Sequence, residues 1–204
     1  MAQDFHRTYV NDEAFIRGAA RLLWAGSTVT FPTKIADVIN MSTYDVTATW
    51  NDLGATKGGI QISVNGTEES FDIDQIQADI RVQPTNWECA VQTNLAEMTL
   101  ERLAVAWEGS PVVTDATPGS GPEKEMGFGN PLSYTERRLA VLFQRPNGKI
   151  RAYIFRKVNR AAQESTINFT KEGEQQTVPV RFKALPDASI ADTYKRFFII
   201  RDQV

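Results

Sequence analysis

The residues best suited to chemistry are five closely spaced carboxylates: Glu68, Glu69, Asp72, Asp74 and Asp79. Paired carboxylates could serve glycoside hydrolysis or bind Ca²⁺. Asp72 and Asp74 alternate with Phe71 and Ile73, which predicts a strand with both aspartates on one face. The run lacks the loop glycine and the bidentate glutamate of an EF-hand. A solvated strand face is therefore the favoured interpretation, with a catalytic pair or a cation site as alternatives.

Other candidates for chemistry have simpler structural interpretations. Residues 54–59 (GATKGG) lack the helix pattern that follows a phosphate-binding loop, so a β-turn is favoured. The one cysteine, Cys89, is interpreted as a small buried side chain. With only one histidine, His6, a His-based triad and a Cys/His zinc site are not expected. The tryptophans are assigned to core or interface packing rather than to a stacking platform; they are Trp24, Trp50, Trp87 and Trp107. We therefore predict no catalytic residue, metal or cofactor.

The composition is that of an ordinary globular domain. The chain has 204 residues, 42% of them apolar and 23% charged, with a net charge of −3. A chain of this length can bury about 70% of its unfolded surface without a metal or disulfide. It contains no apolar run of about 18 residues, so no membrane span is expected. Its first residues do not have the order of a secretory signal.

Charge is distributed unevenly along the chain. Residues 67–108 hold nine acids and two bases, a net charge of −7, and residues 136–160 hold eight bases and one acid, a net charge of +7. Such segments can pair within one fold or between copies of it. The basic segment could instead bind nucleic acid, but the acidic pI, near 5.3, argues against tight binding.

The hydrophobic pattern predicts a β-rich sandwich or barrel of about ten strands. Asn65-Gly66 predicts a turn, Pro84-Thr85-Asn86 predicts a break between strands, and Asn147-Gly148 predicts a hairpin. Residues 15–24 could begin a helix or a strand, and the strand is favoured; residues 35–39 fit one helical turn. The other predicted strands are 60–64, 71–74, 76–83, 87–93, 138–144, 149–158, 165–170, 177–184 and 196–201.

One helix is predicted at about 95–108, with Leu100, Leu103 and Trp107 on its packing side. Asn94 could cap it, with Thr99 as the alternative cap for a shorter helix. A long loop rich in proline and glycine follows at about 109–135. The predicted organisation is a polar arm at 1–14 and a single β domain at 15–204 that contains this loop. Arm and loop are too polar to form a core, so we expect both to contact other copies.

Several runs resemble the major tail tube proteins of long-tailed phages with non-contractile tails. They are LGATKGGI at 53–60, TEE and FDIDQ at 67–75, the segment from Trp87 to Trp107, and VPVRFKALPD at 178–187. The resemblance covers roughly residues 50–108 and 138–200. It implies a tail-tube-type β-sandwich or barrel with one flanking helix, assembled into stacked hexameric rings around a DNA channel.

The resemblance also implies a place and partners. The chain is expected in the virion tail, after assembly in the bacterial host cytoplasm, with no catalytic role and no membrane insertion. Its expected partners are other copies of itself and the tape-measure and tail terminator proteins, with DNA passing through the lumen without specific binding. The alternatives are a tail terminator or connector ring, a β-sandwich that binds glycans and, last, a carboxylate-pair glycosidase.

A channel that conducts DNA must not hold phosphates, so carboxylates suit its wall. We therefore expect Asp72 and Asp74, together with Glu69 or Asp79, to face the lumen, because Phe71 and Ile73 are expected to turn to the core. Alternatively, these carboxylates meet basic residues of a neighbouring subunit. The candidate basic residues for contacts between subunits are Arg137, Arg145, Lys149, Arg151 and Arg156.

Overall fold

The computed structural model describes residues 20–73, 76–115, 123–129, 132–162, 165–167 and 176–204, and for 71–82 and 115 the backbone only. The predicted mainly β class with one α-helix is confirmed for these residues. The helix is α1 (Leu100–Trp107), and 3₁₀ turns lie at Ile35–Asp37 and Thr193–Lys195. The strands are β1 (Ala20–Gly26), β2 (Asn51–Asp52), β3 (Thr56–Ile73), β4 (Ile76–Leu95), β5 (Val113–Asp115), β6 (Glu123–Glu125), β7 (Arg137–Gln144), β8 (Ile150–Arg160), β9 (Val178–Leu185) and β10 (Phe198–Asp202).

Eight strands form one antiparallel sheet in the order β2-β1-β7-β8-β9-β4-β3, with β10 also paired to β8. The long strand β8 pairs with β10 along residues 151–155 and with β9 along residues 157–160. The predicted Asn147-Gly148 hairpin joins β7 to β8. Gly148 has a φ of +80° and donates its N–H to the Arg145 carbonyl at 2.9 Å, the positive-φ conformation that favours glycine there.

The sheet is curled, since strands from distant parts of its order share one core. One buried cluster contains residues from four strands and the helix: Leu22 of β1, Val91 of β4, Phe155 of β8, Phe182 of β9 and Val105 of α1. This arrangement is closer to an open barrel than to two stacked sheets. The segment between β1 and β2 covers the other face of β1, β7 and β8 and forms a second core there, around Ile35, Val38, Ile39, Trp50 and Ile154.

The long hairpin of β3 and β4 differs from the prediction. Gly66 lies inside β3 opposite Trp87 rather than in a turn, so the strands predicted at 60–64 and 71–74 are one strand. A Cβ at position 66 would lie 3.3 Å from the Trp87 ring, which explains why glycine suits this strand position. Pro84 does not break β4, because the ladder shifts register between Thr67 and Glu68, and proline is tolerated at such irregularities.

The helix is shorter than predicted, and Thr99 rather than Asn94 occupies the N-cap. Asn94 and Leu95 belong to β4, where ladder pairing prevails over the capping signal. The buried helix residues are Val105 and Ala106. Of the three residues predicted to pack, Leu103 and Trp107 are partly buried against the core, and Leu100 is half-buried. Among the other predicted strands, residues 165–167 are not in a strand and residues 168–170 lie outside the described residues.

Candidate interaction surfaces

The β3–β4 hairpin extends far beyond the body of the protein. β4 pairs with β9 only from Cys89 to Leu95, and beyond Cys89 its ladder is formed with β3 alone. The nine residue steps from Val64 to Ile73 correspond to about 30 Å of strand. Residues 65–70 and 83–87 are all exposed. An isolated two-stranded ribbon is at best marginally stable in water. Residues 65–73 and 76–87, hereafter the projecting hairpin, therefore form a surface suited to a partner.

Three of the four acidic residues predicted to line a lumen belong to this projecting hairpin. Glu69 is exposed on β3, opposite Gln83. The backbone places Asp72 in β3 and Asp79 in β4, whereas Asp74 lies outside the described residues. Their orientation toward a lumen therefore stays a prediction.

The expectation that Phe71 and Ile73 turn to the core does not fit this backbone. The core residues of β4 begin at Cys89, which pairs with Val64. Phe71 follows Val64 by seven residues, or about 23 Å of strand. A core face on the opposite side of the strand therefore no longer supports the lumen prediction, which depends on the charge of these carboxylates alone.

An apolar groove opens at one end of the curled sheet. Its volume is about 590 Å³, within the range of sites that bind small ligands or side chains. The Phe143 and Tyr153 rings stack in its wall with centroids 6.1 Å apart. Val64 is 50% exposed at its rim. We call this surface the apolar groove; its main lining residues are Ile60, Ile62, Val64, Phe143, Tyr153 and Phe198.

A buried ion pair holds the two ends of the 109–135 loop together. Glu108, just after α1, pairs with Arg137 at the start of β7, and only 4% and 9% of these side chains are exposed. The Thr135 N–H donates to the second Glu108 carboxylate oxygen at 3.2 Å. The Arg137 guanidinium also lies over the Trp24 ring, 5.8 Å from its centroid. These contacts fix both ends of the loop to the sheet.

The described part of this loop returns to α1. The Ser110 N–H donates to the Gly127 carbonyl at 2.8 Å, and Phe128 packs edge-to-face on Trp107 with centroids 6.4 Å apart. β5 and β6 pair within the loop. Several apolar side chains are nevertheless exposed: Val113, Phe128, Leu132 and Tyr134. The predicted contact of this loop with another copy is consistent with these exposed residues and stays a prediction. The N-terminal arm, residues 1–14, lies outside the described residues.

Two of the predicted inter-subunit basic residues contact the C-terminal strand of their own chain. Arg151 donates to the Asp202 carboxylate at 2.6 Å, and Arg145 lies 3.8 Å from the same carboxylate. Arg145 also donates to the Gln203 carbonyl at 2.7 Å. The hydrogen bond from Arg151 holds the pKa of Asp202 below its usual value. These two arginines thus fasten β10 to the β7–β8 hairpin.

Arg156 also contacts its own chain, whereas Lys149 is exposed. The Arg156 guanidinium lies 4.0 Å from the Phe31 ring centroid and donates to the Lys195 carbonyl at 2.6 Å. With Arg137 paired to Glu108, four of the five basic residues have partners within the protomer. A role between subunits remains a prediction that suits Lys149 best.

The two oppositely charged segments are joined within one chain by the Glu108–Arg137 pair. Other acids of the 67–108 segment also have partners in the same chain. Glu88 lies 3.2 Å from Arg181, and Glu101 lies 2.6 Å from Lys124. These three acids are therefore paired within the fold, although Arg181 and Lys124 lie outside the basic segment. Any further pairing between the two segments, within the fold or between copies, stays a prediction.

Cys89 is 2% exposed in the core, and burial raises the pKa of its thiol to about 11. A protonated, inaccessible thiol is a poor nucleophile. We expect thiol reagents at pH 8 to leave the native protein unmodified and to label one thiol per chain after denaturation, as counted by mass spectrometry. Rapid labelling of the native protein would show that Cys89 is accessible.

The other chemical candidates have structural roles in the described residues. Gly54 turns the chain with a φ of +91°, and Gly58 and Gly59 lie at a register shift of β3, so residues 54–59 do not precede a helix. Within the described ranges, no group of three or more His, Cys, Asp or Glu side chains could hold a metal ion. His6 lies outside these ranges.

The described part of the chain contains no helix long and apolar enough to cross a membrane. The chain matches no protein-family model and no curated protein.

Proposed function

We propose that this chain is a structural virion protein that assembles into stacked hexameric rings and forms the tail tube of a long-tailed phage. The tube delivers DNA into the host, and the DNA passes without specific binding. The support is the sequence resemblance over roughly residues 50–108 and 138–200, together with a mainly β fold that has one α-helix in the described residues. Tape-measure and tail terminator proteins are the further proposed partners, and the virion tail is the proposed location.

The projecting hairpin is the observation that carries this proposal. It presents about 30 Å of two-stranded ribbon that its own body does not cover. Residues 65–70 and 83–86 are exposed and, apart from Pro84, are polar or glycine, which suits a contact with another subunit better than a core. Assembly into a ring or a stack would cover this ribbon and stabilise it.

Sedimentation velocity over a concentration series tests this function. We expect the monomer to convert to a hexamer and then to larger species as the concentration rises, since each contact between subunits follows mass action. A species that stops at one ring would favour the tail terminator or connector alternative. A monomer at every concentration would contradict all ring-forming functions.

One observation favours the glycan-binding alternative. Trp87 is 54% exposed on the projecting hairpin and is the only exposed tryptophan in the described ranges. An exposed indole can stack on a sugar ring. Quenching of tryptophan fluorescence by an oligosaccharide, lost in Trp87→Ala, would support this alternative in a chain that remains monomeric.

A further inference from the structure

The apolar groove and the exposed loop lie at opposite ends of β7. Phe143, near the end of β7, lines the groove. Arg137, at the beginning of β7, is paired with Glu108 at the root of the loop. The six residue steps from Arg137 to Phe143 correspond to about 20 Å of strand. The root of the loop is therefore fixed at the end of β7 opposite to groove-lining Phe143.

Both surfaces leave apolar side chains in water. Leu132 is fully exposed and Phe128 is 70% exposed on the loop, while Val64 is half-exposed in the groove. The groove is a contiguous apolar surface, and its burial against a matching apolar surface is favourable. The groove is concave, and the loop residues protrude, so their shapes are complementary in kind.

We propose that Phe128 and Leu132 of one copy insert into the apolar groove of a second copy. Because the two surfaces differ and lie at opposite ends of β7, the contact is heterologous and can repeat from copy to copy. Repetition gives a ring when the rotation closes and a filament when it does not. This contact would join subunits in the proposed tail-tube assembly, and only this biological setting rests on the proposed function.

Described residues of the loop contact one another and the body of the protein before a partner binds. Phe128 packs on Trp107, Ser110 is bonded to Gly127, and the Glu108 carboxylate binds the Thr135 N–H next to Tyr134. A side chain fixed in this way loses less conformational entropy on binding than a free one. Phe128 is therefore suited to insertion into a groove.

Two variants test the two sides of this contact. Leu132→Asp places a carboxylate on the loop, and Val64→Asp places one in the groove. Each is expected to raise the concentration needed for self-association at least about tenfold, because a buried unpaired charge opposes the contact. Thr56→Asp, also in the groove, replaces Val64→Asp if that variant does not fold. The matched controls are Tyr194→Asp, fully exposed elsewhere, and Asn65→Asp, which faces away from Val64 on β3.

Mixing the two variants gives the decisive result. The loop variant keeps an intact groove and the groove variant keeps an intact loop, so an equimolar mixture retains one good contact per pair. We expect light scattering after size exclusion to show a 1:1 dimer in the mixture and monomers in each variant alone. Such a dimer has no second intact loop–groove contact, so this contact cannot extend it further.

Three outcomes would overturn the inference. In the first, Leu132→Asp and Val64→Asp associate at the same concentrations as their control variants. In the second, the mixture of the two variants stays monomeric although the unmodified chain associates. In the third, the unmodified chain is monomeric at every concentration. If the groove instead binds a small apolar ligand or a foreign peptide, the unmodified chain should stay monomeric at every concentration. Mutual rescue without tubes would support the contact and contradict only the tail-tube function.

Discussion

Replacing Arg137 with Met is expected to lower the free energy of unfolding by about 3–5 kcal/mol. The substitution leaves the Glu108 carboxylate buried without its cation, and only 4% of that side chain is exposed. It also removes the guanidinium from the Trp24 ring. Chemical denaturation followed by circular dichroism measures the change. The loss of unfolding free energy should be larger for Arg137→Met than for a variant in which Glu108 is also neutralised, because the single substitution leaves one unpaired charge buried.

The control for this prediction is a more exposed pair. Arg181→Met breaks the ion pair with Glu88, in which the Arg181 and Glu88 side chains are 36% and 40% exposed. It should lower the free energy of unfolding by at most about 1 kcal/mol. The double variant Glu108→Gln/Arg137→Met should recover part of the loss, since no unpaired charge remains. Equal effects of Arg137→Met and Arg181→Met would contradict a buried, functional ion pair at the loop root.

Shortening the projecting hairpin is expected to abolish assembly while the body remains folded. The variant replaces residues 68–85 with Asn-Gly, which joins the paired residues Thr67 and Asn86 by a tight turn. It should raise the concentration for assembly by at least about 100-fold, equivalent to roughly 3 kcal/mol of lost contact. The thermal unfolding transition should remain cooperative, because residues 68–70 and 83–85 contribute no core side chain.

A length-preserving control separates hairpin shape from hairpin charge. Glu69→Gln keeps every residue of the ribbon and removes one exposed carboxylate. If the acidic residues face the lumen, this variant should assemble like the unmodified chain. Normal assembly of the shortened variant would instead show that the hairpin does not join subunits.

Short sequence patterns predicted the elements that pair with the next element along the chain or form without a distant partner. Asn147-Gly148 lies between two apolar strands, and the hairpin that joins them needs no distant partner. The helical turn at Ile35 and the strands β9 and β10 also follow from short patterns. Asn65-Gly66 carries a similar turn signal, yet Gly66 faces Trp87, twenty-one residues later, across a continuous ladder. The cross-strand contact prevails there, and no local pattern contains it.

The candidate surfaces depended on contacts between distant residues, which the sequence alone did not reveal. Glu108 and Arg137 are 29 residues apart, and only the return of the loop to β7 brings them together. The apolar groove joins β3 to β7, β8 and β10 because the sheet curls. The charge contrast between residues 67–108 and 136–160 predicted pairing within the fold or between copies. The Glu108–Arg137 pair joins the two segments within the chain, but the contrast did not identify either residue.

Negative-stain electron microscopy of the concentrated, unmodified protein tests the central claim most directly. The proposed function predicts hollow tubes built from stacked six-fold rings, with end-on views that show a central channel. Uniform small particles of monomer size, under conditions where the protein is folded and concentrated, would contradict it.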